Sequence, residues 1–207
     1  DFTSVTWKLK EGVKWADGTE FTSADVAFTF KYQMDKDTGS TDSNTGEGVK
    51  SVEAVDKYTV KVTYAEANPN FYQWGVSGLG NIIQEKQFKD FIGAKAANAP
   101  GNQKPIGTGP YKVKEFKPND VVTYEINEQY RDPNKPFFKT VQFKGGGDAT
   151  SAARAVFQTG ESDYSWNLQV EATVLKPMID ASDSKGVFVS SVSANVAAGR
   201  TCRARRA

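Results

Sequence analysis

The segment WKLKEGVKWADGTEFTSADVAFTF, residues 7–30, contains the signals of a strand, two turns and a helix in one continuous run. Around its start, apolar residues occupy alternate positions: Val5, Trp7 and Leu9. A period of two is typical of a half-buried strand, which we place at residues 2–9. Glycines then follow acidic residues at Gly12 and Gly18, a pattern that predicts tight turns.

The second half of this segment predicts a helix. Thr22 can accept a hydrogen bond from a backbone amide of the first turn, and the carboxylate of Asp25 favours the positive helix end. This pattern resembles a capping box, so we place a helix at residues 23–34. Its apolar positions are expected to be buried, namely Val26, Ala27, Phe30 and Met34.

Turn residues predict two β-hairpins further along the chain. The first spans residues 49–64 and bends at Asp56-Lys57. The second pairs residues 111–116 with residues 121–126 around a Pro-Asn-Asp turn. Between the first helix and the first hairpin, residues 35–48 are entirely polar or glycine, which predicts an exposed loop.

The other predicted elements alternate between helix and strand, as in an α/β chain. Asn68-Pro69 opens a short helix that carries Phe71, Tyr72 and Trp74. The remaining helices are predicted at residues 84–97, 148–158 and 169–179, the last interrupted at Pro177, and the remaining strands at 138–143, 162–166 and 186–192. Residues 98–104, which contain Pro100-Gly101, are predicted to link two units.

Composition limits the functions that the chain can perform. With 207 residues, 38% hydrophobic and 12% aromatic, the chain is long and apolar enough for one large domain or two small ones. No apolar run approaches the ~20 residues of a membrane span, so we expect a soluble chain. The absence of histidine removes the commonest general base and zinc ligand.

The last eleven residues, 197–207, differ from the rest. Four of the six arginines lie there, together with the sole cysteine, Cys202. Without those arginines, residues 1–196 contain 22 basic and 25 acidic residues. This mildly acidic balance does not indicate binding to nucleic acid. We predict a disordered or artefactual tail. A body without cysteine points weakly to an exported protein.

Catalytic and cofactor motifs are absent from the sequence. Asp17 belongs to a turn and Asp25 to a helix start, and with Glu20 they are expected to be structural rather than an acid/base pair. The glycines of residues 145–147 lack the lysine and spacing of a phosphate loop and predict a connector. We therefore predict no enzyme activity, no cofactor and no bound metal.

One aromatic and polar segment is a candidate binding site. Asp163-Tyr164-Ser165-Trp166-Asn167 lies where a predicted strand runs towards a helix, and open α/β sheets bind ligands at strand ends. The alternative is that Tyr164 and Trp166 point into the core. Residue types alone leave both interpretations open.

Three segments carry a resemblance to a known family. Residues 7–30, the run PIGTGPYKVKEF at residues 105–116 and the run QTGESDYSWN at residues 158–167 resemble, in order, segments of the family 5 extracellular solute-binding proteins. These are the oligopeptide, dipeptide and nickel receptors of bacterial ABC importers. The resemblance covers residues 1 to about 196.

The resemblance implies a partial type II periplasmic-binding-protein-like α/β fold. Residues 1–97 resemble the second, smaller lobe and residues 98–196 the central part of the first lobe, whereas the third lobe has no counterpart. The chain is therefore expected to be a truncated fragment. Gly107 and Thr108 are expected to form a turn near the junction of the two lobes.

The resemblance also implies a function. It predicts capture of peptides or similar small solutes and their delivery to an ABC permease. It also predicts a location in the periplasm or on the outer face of the cytoplasmic membrane, with a lipid anchor. It assigns ligand contacts to Tyr164, Ser165, Trp166 and Asn167. With one wall of the cleft missing, we expect weak binding and self-association through the exposed cleft. The alternatives are a sugar or other small-molecule binding module and a protein-interaction module.

Overall fold

A computed structural model of the protein describes residues 2–72, 74–76, 80–133, 135–145, 147–165, 169–190 and 202–204. The contacts divide the chain into two compact units, residues 1–143 and residues 144–207. Each unit has its own helices and strands.

The first sheet of the first unit contains three antiparallel strands in the order β1-β3-β2: β1 (Ser4–Lys8), β2 (Val49–Asp56) and β3 (Thr59–Tyr64). Trp7 lies opposite Val60 on the central strand. Val60 and Val62 are completely buried and Tyr64 nearly so, because one face of β3 packs against the core. The predicted strand at residues 2–9 and the hairpin at residues 49–64 are confirmed.

Helix α1 (Ser23–Met34) packs on this sheet and has the predicted bounds. Its capping box is present, since the Asp25 carboxylate accepts a hydrogen bond from the backbone N–H of Thr22 at 3.0 Å. The predicted burial was wrong for Met34, which is 38% exposed. The buried positions include polar residues, namely Asp25, Thr29 and Gln33. Asp25 and Thr29 have hydrogen-bond partners outside the helix.

A second sheet has the order β4-β5-β6, with β4 antiparallel to β5: β4 (Tyr111–Lys117), β5 (Val121–Ile126) and β6 (Thr140–Lys144). The β4–β5 hairpin confirms the predicted pairing. Asn119 has a φ of 61°, a left-handed conformation that asparagine tolerates better than most residues, and this explains the Pro-Asn-Asp turn.

The short helix predicted after Asn68-Pro69 was wrong. Turns cover residues 69–72 and 74–76 instead. The hydroxyl of Tyr64 donates to the backbone oxygen of Phe71 at 2.6 Å, and Trp74 is buried beside Phe30. These tertiary contacts take precedence over the local helix signal.

The helix predicted at residues 84–97 is present in pieces. Helix α2 (Glu85–Phe88) continues into short 3₁₀ segments at Lys89–Phe91, Gly93–Asn98 and Pro100–Asn102. Ala99 and Gly101 of the predicted linker are buried, and Gly101 lies against Phe88. This segment is therefore packed within the first unit.

The second unit is organised around two helices, α3 (Ala149–Phe157) and α4 (Ala172–Asp180). Asp148 accepts from the backbone N–H of Ser151 at 2.9 Å, so the predicted cap is confirmed. The unit's core consists of apolar side chains from both helices: Ala153, Val156, Phe157, Leu175 and Met178. The predicted interruption at Pro177 was wrong, because α4 continues through it.

The structure describes two further strands in this unit, β7 (Phe188–Ser190) and β8 (Cys202–Ala204), which pair antiparallel. The strand predicted at residues 162–166 was wrong over residues 162–165, which have no regular structure. Among the described helices, none combines the length and apolar character needed to cross a bilayer.

Candidate functional site

Residues 7–30 and 105–116, two of the segments that carry the family resemblance, meet in the first unit. The backbone N–H of Ala16 donates to the backbone oxygen of Gly107 at 2.9 Å. The turn before α1 therefore holds the loop before β4 through a direct backbone hydrogen bond.

Asp17 is the polar centre of this junction. Its carboxylate accepts hydrogen bonds from the backbone N–H and hydroxyl of Thr19 at 3.0 and 2.6 Å. It also accepts from Nε2 of Gln84 at 3.1 and 3.2 Å and from Nζ of Lys86 at 3.0 Å. Burial alone would raise the pKa of Asp17, but these hydrogen bonds from Thr19, Lys86 and Gln84 outweigh it and hold the pKa well below its usual range.

Helix α2 fixes the other side of the same loop. Oε1 of Gln87 accepts from the backbone N–H of Ile106 at 3.1 Å, and its Nε2 donates to the backbone oxygen of Lys104 at 2.9 Å. These contacts could not be predicted from the sequence, because an irregular segment separates Gln87 from both partners. The loop is thus held by hydrogen bonds at Lys104, Ile106 and Gly107.

A cleft of about 280 Å³ lies beside this loop, and its charged lining residues are Asp17, Lys104, Lys112 and Glu125. Nζ of Lys112 lies 2.7 Å from Oε2 of Glu128 and 3.7 Å from Oε1 of Glu125. The hydrogen bond to Glu128 raises the pKa of Lys112. Since Asp17, Lys112 and Glu125 are paired, the arrangement fits a structural role better than proton transfer.

The other acids considered as catalytic candidates also have structural partners. The Glu20 carboxylate pairs with Lys57 at 2.7 Å and accepts from the hydroxyl of Tyr58. The Asp25 carboxylate accepts from the backbone N–H of Glu85 at 3.0 Å and from Nε1 of Trp15 at 3.3 Å. Within the described ranges, no cluster of three or more Asp, Glu, His or Cys side chains is placed to hold a metal ion.

The candidate binding segment follows α3 in the second unit. Gly160 has a φ of 69°, and the backbone N–H of Ser162 donates to the backbone oxygen of Ala155 at 3.1 Å. This bond ties the segment to the end of α3. Tyr164 is 48% exposed and Ser165 is half-buried, whereas Trp166 and Asn167 lie outside the described residues. Tyr164 is therefore accessible from solvent.

A family model provides the decisive comparison. The model described as bacterial extracellular solute-binding proteins, family 5 middle, matches residues 1–201. The chain belongs to this family. Its members are transport receptors of ABC importers and not enzymes, and they act in the periplasm or outside the cell.

Individual relatives agree with this assignment. The oligopeptide-binding protein AppA of Bacillus subtilis is 33% identical over 157 residues, which are 76% of this chain and 28% of AppA. The glutathione-binding protein GsiB of Escherichia coli K12 is 27% identical over 178 residues, 84% of this chain and 33% of GsiB.

Solved structures show the same fold. The structure of Bacillus subtilis AppA in complex with a nonapeptide has a TM-score of 0.79 and 28% identity, covering 93% of this chain and 37% of that one. NikZ of Campylobacter jejuni in complex with Ni(L-His) has a TM-score of 0.77 at 22% identity, covering 93% and 36%. The predicted periplasmic-binding-protein α/β fold is confirmed, and this chain spans about a third of the length of these relatives.

Proposed function

We propose that the chain is part of the substrate-binding component of an ABC importer and serves to capture peptides or similar small solutes. The observation that carries this proposal is the match to the family 5 model over residues 1–201. The similarity to a relative named as oligopeptide-binding, at 33% identity, favours peptides within that range of solutes.

Within this proposal, residues 1–97 supply the second lobe and residues 98–196 the central part of the first lobe. The protein would act on the outer side of the cytoplasmic membrane, held there by a lipid anchor, and would deliver its solute to an ABC permease. Two lobes closing around a ligand would provide the signal that the permease reads.

The proposed ligand contacts are Tyr164, Ser165, Trp166 and Asn167. Two features support this segment: Tyr164 is exposed, and aromatic faces beside hydroxyl and amide groups suit a small-molecule cleft. Apolar side chains of the second unit pack around α3 and α4, and Tyr164 lies at the surface.

Calorimetric titration tests the proposed function. The titrant is a set of peptides of two to nine residues, applied to the 207-residue chain and to the whole polypeptide that contains it. We expect micromolar or tighter binding by the polypeptide and weak or no binding by the chain alone, because the chain spans only about a third of its relatives. Absence of binding to both proteins would contradict a peptide receptor.

Replacing Tyr164 tests the proposed contacts. In the whole polypeptide, Tyr164→Ala is expected to weaken peptide binding roughly tenfold, since a buried aromatic contact contributes 1 kcal/mol or more. Tyr72→Ala is the matched control, because Tyr72 is similarly exposed at 51% but lies in the first unit. Equal effects of the two substitutions on peptide binding would show that Tyr164 does not contact the ligand.

A further inference from the structure

The open cleft of about 280 Å³ beside the Gly107 loop combines apolar and charged surfaces. Its apolar lining includes Val113, which is buried on β4, and Ile106, which is half-buried in the loop. Two ammonium groups and two carboxylates line it as well. Since one water molecule occupies ~30 Å³ in the liquid, a cleft of this volume has room for a molecule of amino-acid size.

Two of the four charged side chains already have close partners within the chain. The Asp17 carboxylate accepts hydrogen bonds from Gln84 and Lys86. Nζ of Lys112 donates to Oε2 of Glu128 at 2.7 Å. A ligand gains least from these two groups, because it would compete with the partners already in place.

The other two charged side chains, Lys104 and Glu125, have opposite signs. The Lys104 backbone is fixed, because its N–H donates to Pro100 at 3.2 Å and its carbonyl accepts from Gln87 at 2.9 Å. Its ammonium has no hydrogen bond or ion pair among the described residues. Oε1 of Glu125 lies 3.7 Å from Nζ of Lys112, which is longer than a hydrogen bond. The cleft therefore contains one cation and one anion that can each hydrogen-bond to a ligand.

We propose that this cleft binds a zwitterionic amino acid with an apolar side chain. The carboxylate of the ligand pairs with Lys104, its ammonium pairs with Glu125, and its side chain packs on Ile106 and Val113. The lining residues all belong to the first unit, so the site does not depend on the contacts proposed at Tyr164 in the second unit.

Leucine and two analogues with the same side chain test the two charges separately. N-acetylleucine lacks the ammonium, and leucinamide lacks the carboxylate. Backbone amide resonances of Ile106 and Val113 in the ¹⁵N-labelled 207-residue chain report binding at about pH 6, where carboxyl groups are ionised and α-amino groups are protonated. Because exposed ion pairs contribute little, we expect leucine to bind with a dissociation constant on the order of 1 mM, about twofold to fivefold more tightly than either analogue.

Two substitutions assign each charge to its partner. Lys104→Gln is expected to remove the preference for leucine over leucinamide and to keep the preference over N-acetylleucine, whereas Glu125→Gln is expected to do the reverse. Lys114→Gln is the matched control, because Lys114 is an exposed lysine on β4 that does not line the cleft. We expect this control to leave both preferences unchanged.

Two results would overturn the proposal. Equal dissociation constants for the three compounds on the unmodified chain would show that the two charges do not recognise the ligand. If leucine, added up to its solubility limit, shifts neither the Ile106 nor the Val113 resonance, the cleft is not a binding site for an amino acid.

Discussion

The Asp17 carboxylate accepts hydrogen bonds from Thr19, which is close in sequence, and from Gln84 and Lys86, which are distant in sequence. Gln84 is only 2% exposed, so the surrounding atoms restrict the amide that donates to Asp17. The role of Asp17 in a turn could be predicted from Asp-Gly, because a turn is local. The hydrogen bond from Gln84, 67 positions away, could not be predicted, because it depends on the tertiary fold.

Replacing this carboxylate by an amide is expected to destabilise the chain. Asp17→Asn replaces one acceptor oxygen by an NH₂ group, which cannot accept the hydrogen bonds of Gln84 and Lys86. We expect a loss of about 1–3 kcal/mol in the free energy of unfolding at pH 7, measured by urea denaturation. The control is Asp120→Asn at the exposed turn between β4 and β5, expected to change stability by less than about 0.5 kcal/mol.

Acid should reduce the difference in stability between the wild type and Asp17→Asn. The pKa of the Asp17 carboxyl is lower in the folded chain than its unfolded value near 3.8. Its contribution to stability is therefore complete above that value and decreases as the pH falls from there towards the folded pKa. We expect the difference in stability to shrink below about pH 4, and a difference that stays constant from pH 7 to pH 3 would contradict this origin.

At the scale of elements, local signals predicted the capped helix α1, the two hairpins and the Asp148 cap. Each depends on residues within a few positions of one another. The predictions failed where tertiary contacts decide, as in the turns around Trp74 and the irregular residues before Ser165. Met34 was also misplaced, because the buried side of α1 follows the partners of Asp25 and Thr29 rather than apolar periodicity alone.

The packing of residues 98–104 against α2 gives a prediction at this scale. A Cβ added to Gly101 would lie 2.4 Å from Cζ of Phe88, whose ring also packs edge-on against Tyr32. Gly101→Ala is expected to lower the free energy of unfolding by about 1–3 kcal/mol. Gly109→Ala is the matched control, because no atom lies within 4 Å of its added Cβ. Equal stability of the two variants in thermal unfolding would contradict this packing.

At the scale of the whole molecule, family membership could be predicted from three ordered segments, and the match over residues 1–201 extends beyond the residue near 196 where the resemblance seemed to end. The solute could not be predicted, because relatives of one fold are named for peptides, glutathione and a nickel complex. Trp166 and Asn167 lie outside the described residues, so their role stays a prediction.

Self-association of the 207-residue chain is expected at this scale. Phe137, Phe138 and Phe143 are 88%, 64% and 61% exposed in the first unit, and the rings of Phe137 and Phe138 contact each other. Exposed apolar side chains favour association. Light scattering after size exclusion should give a mass that rises above 22.6 kDa with concentration.

Substituting two of these residues tests the cause. Phe137→Ser with Phe143→Ser is expected to restore the monomer mass, whereas Val55→Ser, also at an exposed position, leaves the association intact. A mass of 22.6 kDa at every concentration of the unmodified chain would show that it does not self-associate.

We propose that the segment around Tyr164 contacts the solute, while residues 7–30 and 105–116 form scaffold. Hydrogen–deuterium exchange of the whole polypeptide, with and without a saturating nonapeptide, distinguishes these roles. We expect added protection in residues 158–167 and little change in residues 7–30. Added protection confined to residues 7–30 or 105–116 would contradict it.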